Sequence, residues 1–233
     1  MRGFFITGTD TGVGKTRVSV GLLRVFAAAG LRAVGMKPVA SGAQQTAAGL
    51  RNADAVALQA ASTTSPPYED VNPYVFTPAI APHLAAAEAG VTIDTPRILA
   101  AYQRLCGASD VVVVEGVGGW QVPLSGGLQL PDLARALGLP VILVVGLRLG
   151  CLNHAQLSAR AIREDGLSIA GWVANAIDPD FERRSGNLAT LKLCLHMPLL
   201  GDIPWQSTLA SEALADGLDT MSILRLLKAV QAK

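Results

Sequence analysis

The sequence lacks three features that would define its class at once: paired cysteines, clustered basic residues and long apolar runs. Its three cysteines, Cys106, Cys151 and Cys194, form no C-x-x-C pair. Buried thiols in a reducing cytoplasm are therefore expected rather than disulfides or a zinc site. The net charge of +1 contains no block of Lys or Arg, which argues against a nucleic acid as the main partner. No stretch reaches the roughly 18 apolar residues of a membrane span, so we expect a cytoplasmic protein that binds neither nucleic acid nor membrane.

The sequence does contain a regular alternation of apolar runs and amphipathic segments. Apolar runs, several without polar interruption, occupy residues 4–7, 33–37, 111–115, 141–145, 169–174 and 199–203. Segments of helical character lie between them, at residues 15–29, 96–105, 130–137, 153–165 and 181–195. Continuously apolar strands that alternate with helices are typical of α/β proteins with a mostly parallel sheet. The pattern predicts a mostly parallel central sheet flanked by helices, of the P-loop nucleoside triphosphate hydrolase-like class.

We expect this fold to form one domain over residues 1–233, because half of the residues are apolar and no low-complexity linker divides them. The proline- and polar-rich stretch at residues 60–78 is interpreted as an excursion and not as a domain boundary. In open parallel sheets, ligands bind beyond the carboxyl ends of the strands. Each loop considered below leaves such an end, which predicts one common site.

The segment GTDTGVGKT resembles a phosphate-binding loop with one residue too many. The usual G-x-x-x-x-G-K-[ST] spacing requires glycine at position 9, but the glycine is Gly8. An apolar strand precedes the segment and an amphipathic helix follows it, so Gly12 and Gly14 allow a tight turn that brings backbone N–H groups to phosphate. Lys15 would then reach the terminal phosphates and Thr16 would ligate magnesium. The alternative is a glycine-rich turn without a ligand.

Magnesium usually requires a carboxylate in addition to phosphate and water. Glu115 ends the valine-rich strand DVVVVE and precedes the glycine-rich segment GVGG. It occupies the position of the second nucleotide motif of phosphate-loop enzymes, although a surface acid at a strand end remains the alternative. Asp54 is a second candidate near the start of a helix. Spacing alone favours an ordinary acid in a first helical turn for Asp54.

Two further loops are candidates for the substrate side. Lys37 ends the second apolar run and is followed by the small, polar pair Ser41-Gly42. Lys15 and Lys37 together could clamp an anionic reacting group, or Lys37 could be a strand-end lysine that extends to solvent. The segment 150–153 begins a helix whose free N–H groups could hold a carboxylate, or it is simply an Asn-capped helix. The three histidines, His83, His154 and His196, show no metal-ligand spacing.

Taken together, these segments resemble the dethiobiotin synthetase family, the penultimate enzymes of biotin synthesis. The resemblance covers nearly the whole chain, and the family's phosphate loop has the same lengthened spacing. The matching segments are TGTDTGVGKT, KPVASG, LRNADAVALQ, VNPY, VEGVGGW, PVILVVGLRLGCLNHA, AGWVANAI and PLLGDIPW.

The resemblance implies a ligase that depends on Mg²⁺ and ATP and acts on 7,8-diaminopelargonate (7,8-diaminononanoate) and CO2 or bicarbonate. One amine takes up CO2 to give a carbamate, which ATP phosphorylates to a carbamic-phosphoric anhydride. The second amine then closes the cyclic urea of dethiobiotin and releases phosphate. The resemblance further implies a homodimer with active sites at its interface.

The resemblance also assigns roles residue by residue. Lys37 and Lys15 are catalytic, and Thr16, Asp54 and Glu115 surround magnesium. The nucleotide is bound by Thr11, Gly12, Val13, Gly14, Lys15, Thr16, Asp54, Glu115, Gly116, Val117, Gly118, Asn175, Ala176, Pro204, Trp205 and Gln206, with Asn175 beside adenine. The diamine substrate is bound by Thr11, Ser41, Gly150, Cys151, Leu152 and Asn153, the last four contributed across the dimer interface to the substrate carboxylate. The matching is loose around Asn187 and Glu212.

Gly12 departs from the family, since many relatives carry an acid at this position. Two other protein classes with this fold were weighed. Partitioning-type ATPases carry a signature lysine at the position of Asp10 and bind DNA or membranes. Amide-forming ligases of cobalamin synthesis usually add a glutaminase domain, for which no residues remain here. Both differences favour the dethiobiotin synthetase resemblance.

Overall fold

The computed structural model describes residues 2–206, 215 and 217–232. Its centre is a six-stranded sheet in the order β12-β11-β10-β1-β7-β2, and all five neighbouring pairs are parallel. The strands of this sheet are β1 (Gly3–Gly8), β2 (Ala33–Met36), β7 (Val111–Glu115), β10 (Val141–Leu147), β11 (Ile169–Ala176) and β12 (Leu199–Ile203). The mostly parallel sheet predicted from the apolar runs is confirmed.

Helices connect and cover these strands. They are α1 (Lys15–Ala28), α2 (Ala53–Ala61), α3 (Tyr68–Val71), α4 (Pro82–Glu88), α5 (Thr95–Ala108), α6 (Leu130–Leu137), α7 (Cys151–Glu164), α8 (Arg184–Leu195) and α9 (Thr220–Gln231). Two predicted helix starts were wrong. The helix expected at 153–165 begins at Cys151, and the one expected at 181–195 begins at Arg184. No helix among the described segments is long and apolar enough to cross a membrane.

The two faces of the sheet bury separate cores because successive strand side chains point to opposite faces. Phe4 and Ile6 of β1 join the core that contains α1 residues such as Leu22. Phe5, between them, packs on the other face with Trp120, and the two rings meet edge to face. Burial on both faces explains why β1 and β7 read as continuous apolar runs.

Three small pairs of strands lie outside the main sheet. They are β3 (Val39–Ala40) with β6 (Tyr74–Val75), β4 (Gln44–Thr46) with β5 (Gly49–Arg51), and β8 (Pro123–Ser125) with β9 (Leu128–Gln129). The β3–β6 pair is parallel, and β6 belongs to the proline-rich excursion. The excursion is therefore attached to the segment that follows β2, close to the carboxyl edge of the sheet.

Candidate functional site

A cleft of about 730 Å³ opens at the carboxyl edge of the sheet. The ends of β1, β2 and β7 and the start of α2 surround it. It brings together eleven of the residues selected from the sequence: Thr11, Gly12, Gly14, Lys15, Thr16, Lys37, Ser41, Asp54, Glu115, Val117 and Gly118. The expectation of one common site holds for the loops that follow β1, β2 and β7, since parallel strands deliver their ends together, but it does not hold for the segment 150–153.

The phosphate loop, residues 8–16, is shaped by glycines in the left-handed region. Gly12 has φ 74° and Gly14 has φ 88°. A Cβ on Gly14 would lie 2.1 Å from Asn175 Nδ2, so only glycine fits here. Gly14 is also the N-cap of α1, where no side chain caps the helix and no acid occupies the first turn. The first N–H groups of α1 are therefore available to an anion, as a phosphate site requires.

Lys15 is folded back under this loop. Its Nζ donates to the carbonyl oxygens of Asp10 at 3.0 Å and Gly118 at 2.5 Å. Burial and then repulsion by Lys37 lower the pKa of Lys15 to about 8, against smaller opposing effects of nearby carboxylates. A buried ammonium bonded only to neutral carbonyls lacks a close counter-anion, which is the environment that a phosphate would complete.

Four side chains from separate elements form an acid–lysine cluster: Thr16, Lys37, Asp54 and Glu115. Lys37 Nζ donates to Glu115 Oε1 at 2.6 Å and to Asp54 Oδ2 at 3.0 Å. The Thr16 hydroxyl donates to the same Glu115 oxygen at 2.9 Å. Neither acid is the isolated surface carboxylate of the alternative interpretation, since Glu115 is fully buried and Asp54 faces the cleft.

Opposite charges in the acid–lysine cluster stabilise the ionised forms of Lys37 and Asp54. Burial opposes the charged form of Lys37, but Glu115 and Asp54 outweigh burial and raise its pKa. Burial likewise opposes the charged form of Asp54, yet Lys37 overrides it and lowers the pKa of Asp54. Both groups are therefore ionised at neutral pH. Lys37 is not a lysine that extends to solvent, because its ammonium is buried between two carboxylates.

The same cluster offers donors that suit magnesium. Glu115 Oε2 is buried and has no hydrogen-bond partner, so this carboxylate has an unused oxygen. Mg²⁺ is typically bound by one or two carboxylates together with phosphate oxygens and water. Glu115, Asp54 and the Thr16 hydroxyl fit that donor set. The described segments contain no cluster of three or more His, Cys, Asp or Glu residues that could hold a metal ion.

Ser41 and Thr11, from separate loops, both line the cleft. The Ser41 hydroxyl is buried and has no hydrogen-bond partner, which is unusual for a native polar atom and indicates room for a polar ligand group. Thr11 is exposed, and its backbone N–H is bonded to Asp10 Oδ1 at 2.7 Å. An apolar wall at residues 79–82, together with Val122, borders the same cleft.

The residues selected for adenine lie beyond the cleft, at the ends of β11 and β12. Asn175 is only 2% exposed, and its Nδ2 donates to the Val13 carbonyl at 2.9 Å. Its Oδ1 has no partner. Val13 and Ala176 are buried as well. Asn175 therefore holds the backbone of the phosphate loop at Val13.

The segment that follows β12 is more open. Trp205 is 45% exposed after Pro204, and the Gln206 side-chain oxygen accepts a hydrogen bond from Arg17 Nη2 at 2.7 Å. Arg17 was not selected from the sequence. Arg17 lies in the first turn of α1. Burial lowers the pKa of its guanidinium. Glu212 lies outside the described residues.

The segment 150–153 does not line the cleft of its own chain. Helix α7 begins at Cys151 with Gly150 as a left-handed N-cap, and no side chain caps it. The Asn-capped alternative was therefore wrong, because Asn153 lies inside the first turn. The neighbouring Leu149 is 88% exposed. Asn187, in α8, bonds to the carbonyl of Arg183 in its own helix.

Asp10 and Arg148 connect the phosphate loop to the loop before α7. Arg148 Nη2 donates to Asp10 Oδ2 at 2.6 Å, and both side chains are partly exposed. Partitioning-type ATPases carry their signature lysine at this position of the loop. Here the position holds an acid whose charge is paired within the chain.

Several residues around the cleft were not selected from the sequence. Asn52, residues 79–82, Gly119 and Val122 also line it. Asn52 precedes Asp54 in LRNAD, where an Asn before a helix is a recognised capping signal. It could have been found on that ground. The apolar wall could not, because its position depends on how the excursion folds back.

Comparisons with known proteins agree with this architecture. A family model described as an AAA domain matches residues 2–213. A chain of the MinC:MinD cell division protein complex from Aquifex aeolicus superposes with a TM-score of 0.56, and the match covers 100% of this chain and 97% of the other at 14% identity. Septum site-determining MinD from Pyrococcus horikoshii, complexed with Mg-ADP, gives a TM-score of 0.52 at 16% identity, covering 98% of this chain and 96% of the other. At these identities the likeness establishes the P-loop fold alone.

Relatives in sequence are much closer. The protein named ATP-dependent dethiobiotin synthetase BioD of Xanthomonas oryzae pv. oryzae is 54% identical over 215 residues, which cover 92% of this chain and 96% of the relative. The protein of the same name from Pseudomonas paraeruginosa is 53% identical over 220 residues, covering 94% of this chain and 96% of the relative.

Proposed function

Since the chain belongs to the family of ATP-dependent dethiobiotin synthetases, an enzyme family of biotin biosynthesis, we propose that it converts 7,8-diaminopelargonate, CO2 and ATP to dethiobiotin, ADP and phosphate. One amine adds to CO2 and loses a proton, giving a carbamate. A carbamate oxygen attacks the γ-phosphorus of ATP and ADP leaves, so that a carbamic-phosphoric anhydride forms. The second amine attacks the carbonyl carbon, closes the five-membered urea and expels phosphate.

The observation that carries this proposal is that two buried lysines from separate elements line one cleft. Lys15 comes from the phosphate loop and Lys37 from the end of β2, and repulsion between them contributes to the lowered pKa of Lys15. A carbamate and a triphosphate are both anions and repel each other as they approach. Ammonium groups held in place before the reaction offset that repulsion most strongly where charge develops. We therefore assign Lys37 and Lys15 to the transferred phosphoryl group.

The nucleotide is proposed to lie along the phosphate loop with its phosphates on the N–H groups that begin α1. The uncapped start of α1 at Gly14 supports this position. The purine would extend towards the ends of β11 and β12, where Asn175, Ala176 and the segment 204–206 lie. Gly116, Val117 and Gly118 border the phosphates from the β7 side.

Magnesium fits the donor set of Thr16, Asp54 and Glu115. When bound, Mg²⁺ supplies a Lewis acid that polarises phosphoryl oxygens. The unpartnered Oε2 of the buried Glu115 supports this assignment. In the chain itself, Lys37 lowers the pKa of Asp54 and so keeps this carboxylate ionised and ready for a cation.

The diamine is proposed to lie between Ser41 and Thr11. The unpartnered Ser41 hydroxyl can bond an amine or the carbamate, and Thr11 borders the cleft from the phosphate loop. The apolar wall at residues 79–82 suits an aliphatic chain, since methylene groups gain free energy on leaving water. In this position the amines of the substrate lie near Lys37, and its aliphatic chain lies along residues 79–82, away from the charged side chains.

A homodimer is proposed to complete the carboxylate end of the substrate site. The segment Gly150, Cys151, Leu152 and Asn153 is uncapped and does not reach its own cleft. Leu149 beside it is an exposed apolar residue that a second copy would cover. Sedimentation at assay concentrations should give the mass of a dimer. A monomer that retains full turnover would contradict the proposal.

We also infer that residues 1–233 act as one ligase domain in the cytoplasm, where ATP is available. A single sheet supplies both the phosphate loop and the lysine at the end of β2, which supports one domain. The surface carries a nearly balanced charge, and we assign no nucleic acid or membrane partner.

The function is tested by the requirements for phosphate release. Purified protein with Mg²⁺ and ATP should release phosphate only when both the diamine and bicarbonate are present, with one dethiobiotin formed per phosphate. An amino acid of the same chain length with one of the two amines serves as a matched control. It can form a carbamate but cannot close the ring. Equal phosphate release without any amine would refute the ligase proposal.

A further inference from the structure

A buried chain of hydrogen bonds next to the cleft links the backbones of three site residues, Lys37, Asp54 and Ser41. The Tyr68 hydroxyl accepts from the backbone N–H of Asn52 at 2.8 Å and donates to Asn72 Oδ1 at 3.0 Å. These last three residues are buried. Tyr68, Asn52 and Asn72, here called the tyrosine–asparagine network, come from the excursion and from the residue before α2.

One end of the network holds the backbone of Lys37. Asn72 Nδ2 donates to the Lys37 carbonyl at 2.6 Å and to the Tyr74 carbonyl at 3.0 Å. The Lys37 N–H itself donates to the carbonyl of Val71 at 2.7 Å. Both backbone polar groups of Lys37 are therefore fixed by the excursion, although Lys37 follows a strand of the main sheet.

The other end holds Asp54 and the loop of Ser41. Asn52 Oδ1 accepts from the N–H groups of Asp54 at 3.1 Å and Ala55 at 3.3 Å, which caps α2. Asn52 Nδ2 donates to the Ser41 carbonyl at 3.1 Å. A single asparagine thus fixes a carboxylate of the acid–lysine cluster and the hydroxyl that borders the substrate side.

Every side-chain polar group of the network has a hydrogen-bond partner. In this respect the network differs from the side chains that line the cleft, some of which have unpartnered atoms. The Tyr68 hydroxyl donates and accepts once, and both side-chain ends of Asn52 and Asn72 have partners. Two of the buried side-chain atoms without a partner, Ser41 Oγ and Glu115 Oε2, belong to residues that line the cleft. A buried network with every member satisfied makes a rigid support. Reacting groups need such support, because a displacement of about 1 Å can slow a reaction about 10²-fold.

We propose that Tyr68, Asn52 and Asn72 are positioning residues that hold Lys37, Asp54 and Ser41 in reactive register. The inference rests on the proposed ligase function. It assigns the network no contact with the phosphoryl group. Tyr68 acts through Asn72 on Lys37, and Asn52 acts on Asp54 and Ser41.

The test compares two buried tyrosines in the same region. Tyr68→Phe removes the hydroxyl at the centre of the network. Tyr74→Phe removes a buried hydroxyl that accepts from the Asp94 N–H at 3.0 Å, away from the cleft. Both should lower the melting temperature. Only Tyr68→Phe should lower kcat, by about 10- to 100-fold for a misplaced reacting group, while nucleotide affinity measured by calorimetry stays the same.

Asn52→Ser provides an independent arm if Tyr68→Phe folds poorly. Serine also caps helices, so α2 and Asp54 stay in place, but the amide donor to Ser41 is lost. KM for the diamine should rise more than kcat falls, the reverse of the Tyr68→Phe pattern. Equal kcat for the two tyrosine variants, or an unchanged KM in Asn52→Ser, would overturn the inference. If wild-type protein shows no diamine-dependent phosphate release, the proposed function fails instead, and the two failures are thereby distinguished.

Discussion

The phosphate loop and the acid–lysine cluster line one cleft and meet at Thr16, but they are built in different ways. The phosphate loop is contiguous in sequence, and its ligand groups are backbone N–H groups and one lysine bonded to backbone carbonyls. The acid–lysine cluster consists of side chains that meet from distant segments. Thr16 lies 99 residues from Glu115, and Lys37 lies 78 residues from it.

This difference decides how each region responds to substitution. In the phosphate loop, conformation matters more than charge, since the loop shape itself presents the donors. In the acid–lysine cluster, charge balance matters more, because each buried ion depends on its partner. Substitutions in the acid–lysine cluster should therefore lower turnover more than nucleotide affinity, and substitutions in the phosphate loop should lower nucleotide affinity.

The largest effect is expected for Lys37→Ala. Loss of the ammonium removes a charge-stabilising donor, and removal of one such donor typically slows catalysis about 10²–10³-fold. The change also leaves the fully buried Glu115 without a cation, and breaking a buried pair lowers the free energy of unfolding by about 3–5 kcal/mol. Nucleotide affinity should persist because the phosphate loop is intact. Phosphate release, calorimetric nucleotide binding and denaturant unfolding measure the three quantities.

Lys192→Ala is the matched control, since Lys192 is an exposed lysine in the last turn of α8. It should leave turnover and binding unchanged. Turnover of Lys37→Ala equal to that of the control would remove Lys37 from the reaction. Loss of nucleotide binding along with turnover would break the proposed division between the two regions.

The next effect is expected at Gly14, in the phosphate loop. Gly14→Ala places a Cβ 2.1 Å from Asn175 Nδ2, and Asn175 is buried and bonded to Val13. The loop must distort, and we expect nucleotide affinity to fall more than about tenfold, because the clash adds to left-handed strain of about 1–2 kcal/mol and about 1.4 kcal/mol corresponds to a tenfold change. Gly12→Ala is the control in the same backbone region, with φ 74° and no atom near its added Cβ. It introduces only left-handed strain of about 1–2 kcal/mol.

Titration of nucleotide into the two variants measures the difference. A Gly14→Ala affinity equal to that of Gly12→Ala would show that the contact with Asn175 does not shape the loop. The same pair addresses the departure from relatives that carry an acid at position 12. An open surround at Gly12 gives a side chain there space without a clash.

The fold followed from the sequence because its strands are buried on both faces. Residues 111–114 and 141–145 are apolar without interruption, and short runs of this kind, bounded by glycine or polar residues, favour strands buried on both faces. The start of α7 was missed by two residues because its cap is a glycine, and Asn153 offered a stronger but misleading capping signal. Helix α4 and the small strand pairs depend on tertiary contacts that no local period indicates.

The candidate site divided in the same way. Lys15 and Thr16 followed from one local motif, and Lys37 and Glu115 followed from their positions at strand ends. Tyr68 and Asn72 could not be found, because their importance lies in bonds to Lys37 and Asn52 that cross sequence separations of 35 and 16 residues. Sequence motifs identify residues that would contact a ligand. The residues that hold those groups in place are identified only from the three-dimensional structure.

The smallest expected effect concerns the charge of Lys15 and is measured by pH. Burial and Lys37 lower the pKa of Lys15 to about 8 in the free protein. Bound phosphate would raise it again, so binding takes up a proton above that pH. Nucleotide affinity should be level between pH 6.5 and 7.5 and fall about tenfold per pH unit above roughly 8, the slope of one coupled proton. Calorimetry in two buffers of different ionisation enthalpy measures the proton directly.

The stability of the free protein should move in the opposite direction. The unfolded chain binds this proton up to its ordinary pKa of 10.5, whereas the folded chain loses it near 8. Between these values the unfolded state holds more protons, so the free energy of unfolding contributed by Lys15 rises with pH and is lowest below 8. Lys15→Met should flatten both dependences. If nucleotide affinity is equal at pH 7.5 and 9, Lys15 is fully charged in the free loop. The phosphate loop would then resemble the acid–lysine cluster, where carboxylates already keep the ammonium of Lys37 protonated.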